Sequence, residues 1–335
     1  MSNFVTGANG FLGSRLCQAL ATRGEDVIAL CRRKPKDQRL AHDRIRIVLG
    51  DISDSGLLME KMTGCIFCFH LAAIAKPWTP DPNEFEQVNV TGTNNVLTAA
   101  VRCGLKRVVF TSTAGVFGNS SQGKILDENS PRSTEGKTEY ERSKIRAEQS
   151  VLEMAAAGKI ETVIVNPTRI FGPGPLSIAN SLTRIMLQMD RGEWRYLPGT
   201  GDYVGNYVFI DDVVDGHIGA MDKGVSGDSY VLGGEDLSLR ELFEMMQEHA
   251  NIKRRLISVP AFAIYAIAYM QLMRAKVFKI PPKITPTFAR KYFADYRLSS
   301  EKAKSELGYQ PGSVGQGIAK TMEWLHETKP SHPQT

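Results

Sequence analysis

Residues 6–13 read Thr6-Gly7-Ala8-Asn9-Gly10-Phe11-Leu12-Gly13, between a short β-rich run at 3–6 and a helical pattern at 11–22. Glycines let the chain turn tightly and let its backbone approach a pyrophosphate, whose charge then faces the N-terminus of the following helix. The spacing is G-x-x-G-x-x-G, not the G-x-G-x-x-G of the general fingerprint, and a purely structural turn is the competing reading. The strand before the motif and the helix after it make a dinucleotide site the expectation. Gly7, Asn9, Gly10, Phe11, Leu12 and Gly13 are its candidate residues.

Outward from this loop the chain keeps one rhythm. Strands are predicted at 27–30, 45–49, 65–70, 107–112 and 162–165, and helices at 85–103 and 140–157. Gly104 follows the first of these helices as a C-cap. Such alternation predicts an α/β fold, a doubly wound parallel Rossmann sheet with right-handed crossovers. The rhythm changes after Pro167, where Phe171-Gly172-Pro173-Gly174-Pro175 forms a breaker cluster. The expected division is a dinucleotide-binding domain over 1–167 and a smaller, mainly substrate-binding lobe over 168–328. Some segments of that lobe return to the Rossmann core. The lobe ends in a helix at 314–326, and 329–335 is expected to be a disordered tail.

Bulk properties exclude several classes. Hydrophobic residues make up 42% and charged residues 23% of the 335, as in soluble globular proteins. The net charge of +5 comes from 41 basic and 36 acidic residues without a run resembling a nucleic-acid arm. No basic region followed by an apolar stretch and cleavage site opens the chain, so a secretory signal is not expected. The apolar window 259–273 is too short and interrupted for a transmembrane span, which leaves peripheral membrane contact open. Five cysteines, an odd number, point to a reducing compartment. Cys65 and Cys68 fall on a predicted strand, where residues three apart face opposite ways, so no metal site is read there. A cytoplasmic protein is expected.

Where an NAD enzyme commonly places a ribose-binding acid, after the second strand, the chain reads Cys31-Arg32-Arg33-Lys34. Guanidinium donors match phosphate oxygens, so Arg32 and Arg33 suit a 2′-phosphate and favour NADP(H) over NAD(H). A solvated basic turn is the alternative. Asp51, after the third strand, suits either the adenine amino group or a helix cap. Tyr140 and Lys144 stand at i and i+4 on one predicted helix and share a face. A lysine ammonium near a phenol lowers the phenol's pKa and lets it exchange a proton near neutral pH.

Taken with Gly50-Asp51, His70-Leu71-Ala72-Ala73, Asn89-Val90-Thr91-Gly92-Thr93 and Asn166-Pro167-Thr168, these marks make the chain resemble an extended short-chain dehydrogenase/reductase of the epimerase/dehydratase superfamily, almost throughout its length. Phe209-Ile210-Asp211-Asp212-Val213 and the stretch 232–239 resemble the dihydroflavonol-reductase and 3β-hydroxysteroid-dehydrogenase-like branch. The resemblance implies that Thr113 hydrogen-bonds the reacting oxygen, with Ser112 as the substitute candidate. It implies that Tyr140 is the general acid in reduction and that Lys144 binds the nicotinamide ribose and tunes Tyr140. Ile52, Leu71, Ala72, Ala73, Asn89, Thr111, Pro167 and Thr168 join the implied cofactor site, with an ordinary cap or loop bond as the alternative for Asn89. A homodimer through the helices at 85–103 and 140–157 is also implied.

Three functions compete: an NADP(H)-dependent carbonyl reductase, a nucleotide-sugar epimerase or dehydratase, and a non-catalytic dinucleotide sensor. The Thr113, Tyr140 and Lys144 set argues against the sensor. Sugar-nucleotide members of the family usually carry an arginine a few residues before the Asp-Asp-Val element, and the matching position here is Gly205. A diphosphate without a cationic partner is badly compensated, although Arg184, Arg191 or Arg195 offers a substitute. The apolar stretch holding Phe262, Ile264, Tyr265, Ile267, Tyr269, Met270, Leu272 and Met273 is read as lining an apolar substrate pocket. A core helix, or one resting on a membrane surface, is its alternative.

Overall fold

The buried, β-branched runs of the first half become strands, and the segments between them fold back over the sheet as helices. The computed structural model describes residues 1–120, 123–132, 137–251 and 254–328. The expected tail at 329–335 lies outside the described residues. In chain order, β1 (Ser2–Thr6), α1 (Phe11–Thr22), β2 (Asp26–Cys31), β3 (Ile45–Leu49), α2 (Ser55–Met62) and β4 (Phe67–His70) come first. Next are α3 (Asn83–Phe85), α4 (Gly92–Arg102), β5 (Arg107–Thr111), α5 (Glu139–Ala156) and β6 (Glu161–Pro167).

The remaining chain supplies β7 (Arg169–Phe171), α6 (Ser181–Asp190), β8 (Tyr196–Pro198), β9 (Val204–Phe209), α7 (Ile210–Lys223) and β10 (Ser229–Leu232). After these come β11 (Glu235–Ser238), α8 (Leu239–His249), β12 (Ile257–Val259), α9 (Ala261–Phe278), α10 (Pro286–Ala289) and α11 (Val314–Thr328). The central sheet has seven strands in the order β10-β6-β5-β4-β1-β2-β3, and every pairing in it is parallel. A late segment, β10, thus completes a sheet begun at residue 2. Two small sheets, β11-β9-β7 and β12-β8, stand apart from it.

Both faces of the large sheet are covered, as a parallel sheet requires. On one face Leu16 and Leu20 of α1 and Val213 and Ile218 of α7 pack with Val5 and Val163. On the other, Leu58 of α2, Val96 of α4 and Ala147 and Val151 of α5 meet Phe4, Val108 and Phe110. A third cluster joins Phe11 to Phe171, Met186, Phe209, Phe243 and Met322, so the first helix of the dinucleotide half is anchored in the later chain.

The helix expected at 85–103 is interrupted. A π-helical turn, Glu86–Thr91, separates α3 from α4 and directs Asn89 inward, where it is fully buried. Local π-turns of this kind commonly accompany functional sites. Among the described residues no helix is long and apolar enough to cross a membrane.

Candidate active site

The glycine loop sits at the C-terminal end of β1, pressed between α1 and the chain leaving β4. Gly7 adopts φ +67°, and a Cβ there would meet Ala72 N at 2.8 Å and the Leu71 carbonyl carbon at 2.9 Å. A Cβ on Gly13 would overlap the Gly7 carbonyl oxygen outright. Gly10 caps α1 without a side-chain bond, which leaves the first amides of that twelve-residue helix to an outside acceptor. The Asn9 Oδ1 and Thr168 Oγ1 atoms are buried without a partner, and so is Ser112 Oγ. Orphaned polar atoms of this kind call for a group the protein itself does not supply. A pyrophosphate-bearing dinucleotide fits the loop.

A directional hydrogen-bond chain holds the loop's neighbour in place. Thr93 donates its one hydroxyl proton to Asn89 O at 2.6 Å, so its oxygen accepts from His70 Nε2 at 3.0 Å. That fixes the His70 tautomer. Nδ1 then accepts from the Thr6 hydroxyl at 2.7 Å, and Thr6 Oγ1 in turn accepts the amides of Leu71 and Ala72, each at 3.1 Å. Burial, seconded by nearby Lys144, pushes the His70 imidazole down to about 3, which keeps the chain in this neutral arrangement. Leu71, Ala72 and Ala73 are all half-buried beside Gly7.

Tyr140 and Lys144 occupy the first turns of α5. A capping box starts that helix: Thr138 Oγ1 accepts the Glu141 amide and Glu141 Oε2 accepts the Thr138 amide at 2.8 Å. The Tyr140 phenol lies beside the Thr113 side chain, just beyond β5, which lowers its proton affinity, and Thr113 Oγ1 accepts the Gly115 amide at 3.2 Å. Ser112, the substitute candidate, keeps its hydroxyl buried and unpartnered next door. Lys144 is 1% exposed, with its ammonium 4.0 Å from the centroid of the Phe110 ring.

The electrostatics differ from the expectation. Desolvation, then the Glu141 carboxylate, pushes the Tyr140 phenol well above its usual range, and the Thr113 side chain only partly offsets this. Desolvation also pulls Lys144 down to about 7, against the opposing pull of Glu148. A lysine held so near neutrality has weak leverage over the phenol. Tyr140 accordingly holds its proton across the neutral range.

Two expected cofactor residues turn their side chains to other tasks. Asn89 uses its whole amide inside the protein: Oδ1 accepts Ile74 N at 2.8 Å, and Nδ2 donates to Ile74 O at 3.2 Å and Ser143 Oγ at 2.8 Å. It clamps the loop after β4 to α5. Thr111 hydrogen-bonds His217 Nε2 of α7 at 2.9 Å, so its hydroxyl is drawn to the α7 side of the sheet. Asp51 Oδ1 accepts the Ser53 amide at 2.9 Å in a local turn, whereas the cap of α2 is Asp54. Ile52 is buried against Gly92, and Pro167 ends β6 beside Thr168. Arg32 and Arg33 follow β2 and are both exposed.

Several residues near the site were given no role there by the sequence, although Asn166 stood in one of the family marks. Behind Thr113, Asn166 Nδ2 donates to Thr113 O at 3.3 Å and to Glu148 Oε1 at 2.8 Å, and Arg132 holds Glu148 at 2.6 Å. Beside Tyr140, Lys291 pairs with Glu141 at 2.6 Å and Lys137 Nζ donates to Gly115 O at 2.5 Å. Gly205 is also more than a missing arginine. A Cβ there would lie 2.6 Å from Arg169 Nη1, so the guanidinium of a neighbouring strand lies over the glycine. Arg169 Nη1 donates to Tyr207 Oη at 3.0 Å.

The stretch expected to line an apolar pocket behaves otherwise. It forms α9, and Phe262, Ile267, Tyr269, Met270 and Met273 are exposed. Only Ile264, Tyr265 and Leu272 of the eight are half-buried.

Residues 3–233 match the model of the NAD dependent epimerase/dehydratase family. Sterol demethylase protein B of Methylococcus capsulatus is 31% identical, covering 98% of this chain and 99% of its own length. A 4-hydroxy-2-methyl-3-oxo-4-farnesyl-3,4-dihydroquinoline-1-oxide ketoreductase of Stigmatella aurantiaca is 30% identical, covering 95% and 98%. A crystallised protein designated gox2253 superimposes with a TM-score of 0.83 at 30% identity, covering 98% of each chain. The chain belongs to the NAD dependent epimerase/dehydratase family, as an extended short-chain dehydrogenase/reductase: an enzyme acting on CH–OH and C=O groups with a nicotinamide cofactor.

Proposed function

We propose that the protein is an NADP(H)-dependent reductase of a ketone or aldehyde, or the corresponding alcohol dehydrogenase, acting on a small, mostly apolar molecule. The observation that carries this reading is the Tyr140 phenol placed beside the Thr113 hydroxyl, with Lys144 one helical turn further on. In reduction the bound nicotinamide supplies a hydride to the carbonyl carbon. Tyr140 donates its phenolic proton to the developing alkoxide, and Thr113 holds that oxygen by a second hydrogen bond. The raised proton affinity of Tyr140 keeps it in the donor form across the neutral range. Lys144, Gly7, Gly10, Gly13, Asn9 and Thr168 hold the cofactor, and Arg32 and Arg33 receive its 2′-phosphate.

An apolar substrate agrees with the names of two relatives, one acting on a sterol and one on a farnesylated quinoline. Epimerisation or dehydration of a nucleotide sugar is the second reading, and Arg169 favours it by placing a cation over Gly205. The Tyr207 bond already engages one of its donors. A homodimer through α4 and α5 belongs to the same proposal, as does a cytoplasmic location.

A panel of apolar ketones and aldehydes, followed by NADPH absorbance, tests the reading beside UDP-, GDP- and dTDP-sugars. Turnover of an apolar carbonyl should fall by about two to four orders of magnitude in Tyr140→Phe, the scale of general acid catalysis, with cofactor affinity preserved. A variant retaining more than about a tenth of wild-type turnover removes Tyr140 from the chemistry.

A further inference from the structure

Helix α9 is built inside out. Its fully buried residues are Ala268 and Ala275, two small side chains about two turns apart. At 100° per residue these define one face. The opposite face carries Phe262, Tyr269, Met270, Met273 and Val277, exposed by 76%, 60%, 65%, 60% and 65%. Their spacing of seven, one, three and four residues keeps them within a stripe roughly 100° wide and about 22 Å long. Lys276 and Arg274, both exposed, border that stripe on its two sides. An exposed apolar stripe of this extent on a monomer marks an interaction surface.

Charge identifies the partner. From His249 to Ala294 the sequence contains nine lysines and arginines and not one aspartate or glutamate. The whole chain has a net charge of only +5, so everything outside this segment is net negative. The basic character continues off the helix. β12 leads into α9, and beside it Arg195, Arg240, Arg254 and Arg255 line a groove of about 1000 Å³ in which Glu244 is the sole acid. An apolar stripe edged by cations complements a layer that is apolar within and anionic at its surface.

We propose that α9 is a monotopic membrane helix that lies in the headgroup–acyl boundary of an anionic bilayer. Phe262, Met270, Met273 and Val277 enter the acyl region, and Arg274, Lys276 and the arginines near β12 meet lipid phosphates. Such helices lie in the interface plane about 5–10 Å deep and do not span. Arg274 and Lys276, within the helix itself, fit that placement and not a crossing.

The test is co-sedimentation of the full chain with phosphatidylcholine vesicles, with and without 30% phosphatidylglycerol. Binding should be at least tenfold stronger to the anionic vesicles and should weaken at 0.5 M salt. Phe262→Glu/Met273→Glu should lower it at least tenfold, and Arg274→Glu/Lys276→Glu should remove the preference for anionic lipid. These side chains are exposed, so circular dichroism and Tm should match wild type. In wild-type background, Tyr269→Trp should shift its emission to the blue only with anionic vesicles. Absence of vesicle binding overturns the proposal, and so does binding that survives Phe262→Glu/Met273→Glu. A vesicle-free dimer in sedimentation equilibrium that Phe262→Glu/Met273→Glu dissociates also overturns it, because the stripe then covers a second copy.

Discussion

Replacing Gly13 by alanine probes the cradle at its tightest point. The added Cβ overlaps the Gly7 carbonyl oxygen and lies 2.9 Å from Gly7 C and 3.0 Å from Ala8 Cα, all backbone atoms. Gly7 has no room to retreat, since its other side already abuts Ala72 N and the Leu71 carbonyl. Two magnitudes oppose each other. Alanine in a helix interior gains about 1 kcal/mol over glycine, whereas overpacking a rigid site costs about 1–3 kcal/mol. Net destabilisation should therefore be modest, about 0–2 kcal/mol. Cofactor binding should suffer more, because misplacing the loop by about 1 Å misaligns every amide aimed at the pyrophosphate. The expected loss of affinity is at least tenfold, about 1.4 kcal/mol. Calorimetric titration with NADPH measures it, beside thermal unfolding of the apo protein. Gly24→Ala is the control: it sits at φ +82° with nothing within 4 Å, so it should lose about 1 kcal/mol of stability and no affinity. Affinity within twofold of wild type in Gly13→Ala would refute the close-approach argument.

Two more outcomes follow from the site. Lys144 titrates near 7 when folded and near 10.4 when unfolded, so between those values the unfolded chain binds more protons and stability contributed through this group rises with pH. The stability difference between wild type and Lys144→Met, from urea unfolding at pH 7.5 to 9.5, should grow in favour of wild type by up to about 1.4 kcal/mol per unit. A difference independent of pH contradicts the buried, near-neutral lysine. Arg32→Ala should weaken NADPH about ten- to a hundredfold with NADH unchanged, one charge-assisted phosphate bond being about 1.5–3 kcal/mol. Equal losses for both cofactors would make residues 32–34 a solvated turn.

Most of the sheet was legible because its buried strands carry unbroken apolar runs and its glycine loop has a mechanical reason for each glycine. α1 and β3 were anticipated to the residue, since breaker residues bracket them. α2 escaped notice: eight residues burying only Leu58 and Met62 give little periodicity to read. The π-turn was hidden because Asn89 turns inward through tertiary bonds to Ile74 and Ser143. Arg169 was illegible for the same reason, as only the parallel pairing of β7 with β9 brings it over Gly205. The apolar residues of α9 read as pocket or core by composition alone. Which face is buried is decided by two alanines, which a hydrophobicity pattern does not flag.

The central claim is net hydride transfer to a carbonyl with a proton from Tyr140, and deuterium labelling tests it most directly. NADPH deuterated at C4 on the transferring face should deliver the label to the carbinol carbon of an apolar alcohol product, with one cofactor oxidised per product formed. The rate of that delivery should fall by about two to four orders of magnitude in Tyr140→Phe. A nucleotide sugar isomerised with its cofactor returned unoxidised and no label accumulating in an alcohol would contradict the account.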